Sequence, residues 1–198
     1  MADPATRPAV LVIAPALAGS SAAGASRRRA LLELLGPQRS EQLDGLLVSR
    51  AVAWGERLTA GQVQVSAESP AEAAARAFAA ADAPVLVVWP VLPRWRPDHG
   101  AAALEDLATG CVVTVGPVFD GGLYLLGLAG PAPWLPGLVD PERDSTETIS
   151  TIVTAANAAG QDVGLLRAER GLRSPQDVRA ALADPLLDPE LAAALRPG

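Results

Sequence analysis

Four short, almost wholly apolar runs constrain this chain more than anything else in it: AVLVIA (Ala9–Ala14), PVLVV (Pro84–Val88), CVVTV (Cys111–Val115) and LYLLGL (Leu123–Leu128). Each is too short for a helix and rich in β-branched residues. None shows the apolar/polar alternation of a strand with one wet face, so they read as strands buried on both faces, and such strands belong to sheets covered by helices. The segments between them supply those helices. RRRALLELL, from Ser26, has helical spacing and stops at Gly36-Pro37. SEQLDGLLVSRAVAWGERL places Leu43, Leu46, Leu47, Ala51, Trp54 and Leu58 at helical intervals, with Ser40 as its expected N-cap. AEAAARAFAAAD opens on Ser69-Pro70, PDHGAAALEDLA covers Pro97–Ala108, and STETISTIVTAANAA covers Ser145–Ala159, closed by Gly160. SPQDVRAALA (Ser174–Ala183) carries a Ser N-cap and a Pro at the first helical position. Val63–Val65 and Val163–Leu166 read as two further short strands, and the tail DPELAAALRPG as a short helix that frays.

Strands thus alternate with helices, which predicts an α/β fold of three layers, αβα, around a mixed, mostly parallel sheet. The step from CVVTV through GPVFDGG to LYLLGL is hairpin-like, so one strand is expected to run against the rest. With no repeats and no internal linker, residues 1–198 read as a single domain.

The chain is 49% hydrophobic, enough for one real core, and its formal charge of −6 argues against a general nucleic-acid binder. No apolar run approaches the roughly 20 residues of a membrane span. VLVIA near the start is too short for a secretory signal, and the expected location is cytoplasmic. One cysteine, Cys111, cannot form an internal disulfide and reads as a small buried strand residue. A single His and no CxxC leave no zinc pattern.

In sheets of this kind ligands bind beyond the carboxyl ends of the parallel strands. Three loops meet that condition. The first, APALAGSSAAGASRRR, is glycine-rich and leads into a helix, so Gly19, Ser20, Ser21 and Gly24 could present N–H groups to a phosphate, with Arg27, Arg28 and Arg29 adding charge. It matches neither GxxxxGK[ST] nor GxGxxG, and a plain flexible connector with a solvated basic helix start is the competing reading. The second, WPVLPRWRPDH, carries Asp98 and His99, either an acid–base pair or a solvent-facing helix turn. Its Trp89 and Trp95 would stack a base or sugar, pack as a lid, or form an exposed partner surface. The third, GPVFDGG, sets Asp120 before Gly121 and Gly122, whose freedom allows a tight reversal or a close approach to ligand. Asp120 would position a substrate there; the alternative is an Asp-Gly turn kept for its geometry.

GPVFDGGLYLLGL resembles the pattern gP-x-x-DGG-Y-Y-L-(I/L)-G-(L/M) of a bacterial glycosyltransferase-like family, the selenodomain-associated transferases, related to the guanylyltransferases of molybdenum-cofactor and deazaflavin-cofactor synthesis. The matching residues are Gly116, Pro117, Asp120, Gly121, Gly122, Tyr124, Leu125, Gly127 and Leu128. The resemblance implies a glycosyltransferase-A-type, nucleotide-diphosphosugar-transferase fold and a nucleotide or nucleotide-sugar substrate held with Mg2+ or Mn2+. The chain departs from the family at three places. The segment after the first strand has no Lys. In the loop after Val88, Pro93 matches, but Val91 stands where the family has an Asp. In GLRSPQDV, Asp177 matches, but Gly171 and Arg173 replace two acids. The expectation is therefore a transferase-like protein, glycosyl or nucleotidyl, with its metal chemistry weakened or lost. The alternative is a non-catalytic nucleotide- or metabolite-binding module or a partner subunit.

Overall fold

The computed structural model describes residues 8–13, 22–59, 63–67, 70–80, 83–119, 121–132 and 145–196. In chain order the elements are β1 (Ala9–Ile13), α1 (Ala22–Leu35), α2 (Pro37–Thr59), β2 (Val63–Ser66), α3 (Pro70–Ala80), β3 (Val85–Val88), α4 (Pro97–Ala108), β4 (Val113–Pro117), β5 (Leu123–Leu128), α5 (Ser145–Ala158), β6 (Val163–Leu165), α6 (Pro175–Leu182) and α7 (Pro189–Leu195).

The six strands form one sheet in the order β2-β1-β3-β5-β4-β6. Strand β1 pairs in parallel with β2 and β3, and β4 in parallel with β6. Strand β5 alone runs against its neighbours β3 and β4. The apolar runs take the central positions because both their faces need cover. Every residue of β3, β4 and β5 is buried.

Helices α3 and α5 cover one face, where Ala73, Ala74, Ala77 and Ile152 pack on Leu11, Ile13, Val87, Val115 and Leu126. Helices α2 and α4 cover the other, where Trp54, Trp95, Ala103 and Leu107 pack on Val10, Val12, Leu86, Tyr124 and Leu125. A third cluster lies outside the sheet. Leu35, Leu43 and Leu47 from α1 and α2 meet Leu172, Val178, Leu191 and Leu195 from the C-terminal end of the chain.

Four local expectations change. Helix α1 begins at Ala22 rather than Ser26, so Arg27–Arg29 lie beyond its first turn. Gly36 adopts φ 78° and closes that helix, its N–H donating to the Leu32 oxygen at 2.8 Å. Pro37, with its φ already set, starts α2, so Ser40 lies inside a helix instead of capping it. Cys111 precedes β4 and is only partly buried, because the strand starts at Val113. The tail helix is capped and docked. Asp188 caps α7 through the N–H groups of Glu190 and Leu191, and Leu191 and Leu195 are fully buried.

Candidate functional site

Because β1, β3, β4 and β6 are parallel, their carboxyl ends share one edge of the sheet, and the turn into β5 opens on the same edge. The loops after β3, β4 and β6 meet there and are tied together by backbone. The Leu172 N–H donates to the Val91 oxygen at 2.7 Å, and the Glu169 N–H to the Pro117 oxygen at 3.0 Å. The Phe119 N–H in turn donates to the Glu169 oxygen at 3.0 Å.

The GPVFDGG segment follows from close packing. A Cβ on Gly116 would lie 2.6 Å from the Tyr124 ring, so only glycine lets that ring lie across the strand. The Tyr124 hydroxyl then donates to the Arg167 carbonyl at 3.2 Å, and the motif's tyrosine fixes the loop after β6. The turn is closed by the Gly121 N–H on the Val118 oxygen and the Val118 N–H on the Gly122 oxygen, both at 3.1 Å. Gly121 and Gly122 have φ of 95° and 79°, the left-handed region that side chains resist. The positive φ expected of both glycines is therefore present. Phe119 is exposed on this turn.

Behind the turn lies a charged network centred on Glu169, with His99 buried and Asp98 and Arg167 exposed. Glu169 Oε1 accepts from Arg96 Nη2 and lies 3.5 Å from His99 Nε2 and 3.9 Å from Arg167 Nε. Arg96 Nε also donates to Asp98 Oδ1 at 3.2 Å. His99 Nδ1 accepts from the Arg96 N–H at 3.3 Å, so the proton of the neutral ring belongs on Nε2, facing Glu169. Burial, and then the positive charge of Arg96, push the imidazole below its ordinary pKa of 6.5 against the pull of Glu169 and Asp98. Burial likewise raises the Tyr124 phenol, with Glu169 adding to it, so the hydroxyl stays protonated and remains a donor. Aromatic rings wrap the network: Trp54 and Trp95 have centroids 4.7 Å apart, and His99 and Tyr124 are 5.3 Å apart.

Two expectations for this loop are overturned. His99 is buried, not on a solvent-facing turn, because α4 enters with its first turn pressed against Trp95 and Tyr124. The tryptophans form no exposed surface. Trp89 and Trp95 are both buried in the sheet's two faces.

Further along the edge, Arg173 is 7% exposed and donates from Nη1 to the Gly121 oxygen of the glycine turn. Asp177, 1% exposed, accepts from the Arg173 N–H at 3.1 Å, the Ser174 N–H at 2.9 Å and the Ser174 hydroxyl at 2.8 Å. It forms with Ser174 the capping box of α6. The acid kept from the family pattern is thus a helix cap here.

Of the residues singled out from sequence, Gly19, Ser20, Ser21 and Asp120 lie outside the described residues. Gly24 and Arg27–Arg29 are in α1, where Arg28 Nη2 reaches Asp44 Oδ2 of α2 at 2.8 Å. Gly121 and Gly122 are at the strand-end edge as expected. Sequence reading missed Glu169 and the arginines beside it, although RAERGLR directly after a strand was a visible signal.

The described carboxylates at this edge do not suit the Mg2+ or Mn2+ implied by the family pattern. Among the described residues no three His, Cys, Asp or Glu side chains gather to hold an ion. Glu169 is engaged by Arg96, and Asp177 by a helix cap. A guanidinium stands where the pattern has an acid. A hard divalent cation needs oxygen donors, not a neighbouring positive charge.

No family model matches the sequence, and no curated protein matches it. A solved structure does match: a "putative nucleotide-diphospho-sugar transferase" from Desulfovibrio desulfuricans G20, with a TM-score of 0.70 over 96% of this chain and 94% of that one, at 18% identity. The chain has the fold of the nucleotide-diphospho-sugar transferases. With that fold, the expected three-layer architecture and mixed sheet both stand. Among the described residues no helix is long and apolar enough to cross a membrane.

Proposed function

We propose that this protein binds a nucleotide or nucleotide sugar at the strand-end edge as a transferase-like protein, with Asp120 positioning the substrate beside Gly121 and Gly122. The observation that carries this reading is the glycine turn. It lies at the shared carboxyl edge of the parallel strands and is braced by Tyr124 and Arg173, on a fold whose solved relative is named for nucleotide-diphospho-sugar transfer. Gly19, Ser20 and Ser21 of the segment after β1, with Gly24 and Arg27–Arg29 of α1, enter the reading as phosphate contacts.

A second reading, a non-catalytic nucleotide-binding module, is favoured by the engagement of Glu169 and Asp177 in structural contacts. Thermal-shift titration with nucleotides and nucleotide sugars tests binding. A ligand at a hundredfold excess over Kd stabilises the folded form by about 2.7 kcal/mol. Asp120→Ala should abolish that shift while the free protein keeps its melting temperature; an undiminished shift removes Asp120 from the site. Hydrolysis or transfer of a bound nucleotide sugar separates the enzyme from the module.

A further inference from the structure

We propose that the substrate's phosphates are held by Arg167 and Arg170, in the loop after β6, beside a turn braced by Arg173, and that these guanidinium groups take the place of a divalent cation. This inference rests on the nucleotide-binding reading above and names the groups that would do the binding.

Position comes first. The loop leaves β6 at the strand-end edge and is joined through both backbone groups of Glu169 to the segment that forms the glycine turn. Its backbone therefore runs alongside the segment that leads into Gly121 and Gly122. Charge comes second. RAERGLR places three arginines within seven residues of a chain whose net charge is −6. Their orientation separates the signs. The Arg167 and Arg170 side chains are 80% and 48% exposed, whereas those of Glu169 and Asp177 are 17% and 1% exposed. The acids point inward to Arg96, His99 and the α6 cap, and Arg167 and Arg170 point out. The ion pairs made by the two outer arginines are long, 3.9 Å for Arg167–Glu169 and 3.7 Å for Arg170–Asp177, so N–H donors of both guanidinium groups remain directed to solvent.

Two exposed arginines on a loop would ordinarily be a solvated surface. The difference here is Arg173, buried and hydrogen-bonded to the carbonyl of Gly121. It fixes a guanidinium group against the glycine turn. Guanidinium groups bind phosphate through paired N–H donors without needing a metal to bridge them. The ligand chemistry is therefore a diphosphate, with nucleotide sugars and free pyrophosphate sharing the recognised part.

The test is calorimetric titration of the full chain with UDP-glucose, GDP-mannose and inorganic pyrophosphate, each in EDTA and in Mg2+. It compares the wild type with the surface double variant Arg167→Gln/Arg170→Gln, whose folding is checked by its melting temperature. The expected result is binding in EDTA, changed less than about twofold by Mg2+ and weakened about tenfold or more in the double variant, as for loss of charge-assisted hydrogen bonds. Binding that requires Mg2+, or that the double variant leaves unchanged, overturns this inference while the nucleotide-binding reading stands. Pyrophosphate binding in EDTA that the double variant weakens, without binding of either nucleotide sugar, supports the anion site and counts against those nucleotide sugars as ligands. No binding by any of the three overturns the anion site as well.

Discussion

The two faces of the sheet are built differently. Among the described side chains, the packing under α3 and α5 is alanine and aliphatic, with Trp89 the one large ring. Under α2 and α4 it is aromatic, with Trp95 and Tyr124 packed against His99 and Trp54 against Trp95. An aliphatic side chain can only exclude water. An aromatic one with a polar tip also reaches a hydrogen-bonding partner while its body stays buried. Trp54 Nε1 donates to the Arg96 oxygen at 2.8 Å, and the Tyr124 hydroxyl to the Arg167 oxygen. The aromatic face therefore fixes the backbone of two strand-end loops, and the aliphatic face makes no such connection among the contacts described.

The largest test of this contrast is Trp54→Ala. It should cost about 3–5 kcal/mol in urea unfolding, whereas Ile152→Val on the opposite face should cost about 0.5–1.5 kcal/mol. Equal losses would mean that the faces carry similar weight. Next is Gly116→Ala, expected to destabilise by about 1–3 kcal/mol through overpacking against the Tyr124 ring. Combined with Tyr124→Leu its cost should shrink. Strict additivity in the double-mutant cycle would show that the ring is not what the new methyl group meets. Smaller again, at about 1 kcal/mol, is Tyr124→Phe, which leaves the Arg167 carbonyl without its donor. Ser174→Ala, which removes the α6 cap, should cost a similar amount and, lying off the aromatic face, serves as the control.

The smallest effect is in pH. The folded chain holds the His99 imidazole below 6.5, so on acidification the unfolded chain takes up the proton first. Stability from this group is complete above pH 6.5 and declines as pH falls from there toward the lower folded value. His99→Gln should flatten that part of the stability–pH curve. A slope identical to that of the wild type would place the titration elsewhere.

Most of the architecture was legible because it depends on local pattern. The apolar runs marked the central strands, and Ser174-Pro175 and Pro97 marked helix starts that the structure keeps. The reversed strand followed from the short GPVFDGG connection. What the sequence could not disclose was pairing across distance. Nothing adjacent to His99 reveals that Glu169 will meet it, so a helix-start histidine beside an aspartate read as exposed. The same holds for Trp89 and Trp95, whose proline-rich neighbours suggested a surface loop although the sheet faces enclose both rings. Arg173 was visible as a departure from a pattern, but its hydrogen bond to Gly121 belongs to the tertiary structure alone.

The lone reversed strand also bears on the order in which the molecule assembles. Pro117 finds Leu123 across one short turn, whereas Val10 must find Val63 and Leu86, and Val113 must find Val163, over long intervening stretches of chain. Loop-closure entropy makes the β4–β5 pair the least costly strand contact to form. That pair lies within the sheet, with β3 on one side and β6 on the other. The segment carrying the glycine turn is thus the natural template on which the slower, long-range strands are laid down, and slow steps in refolding should belong to β1, β2 and β6.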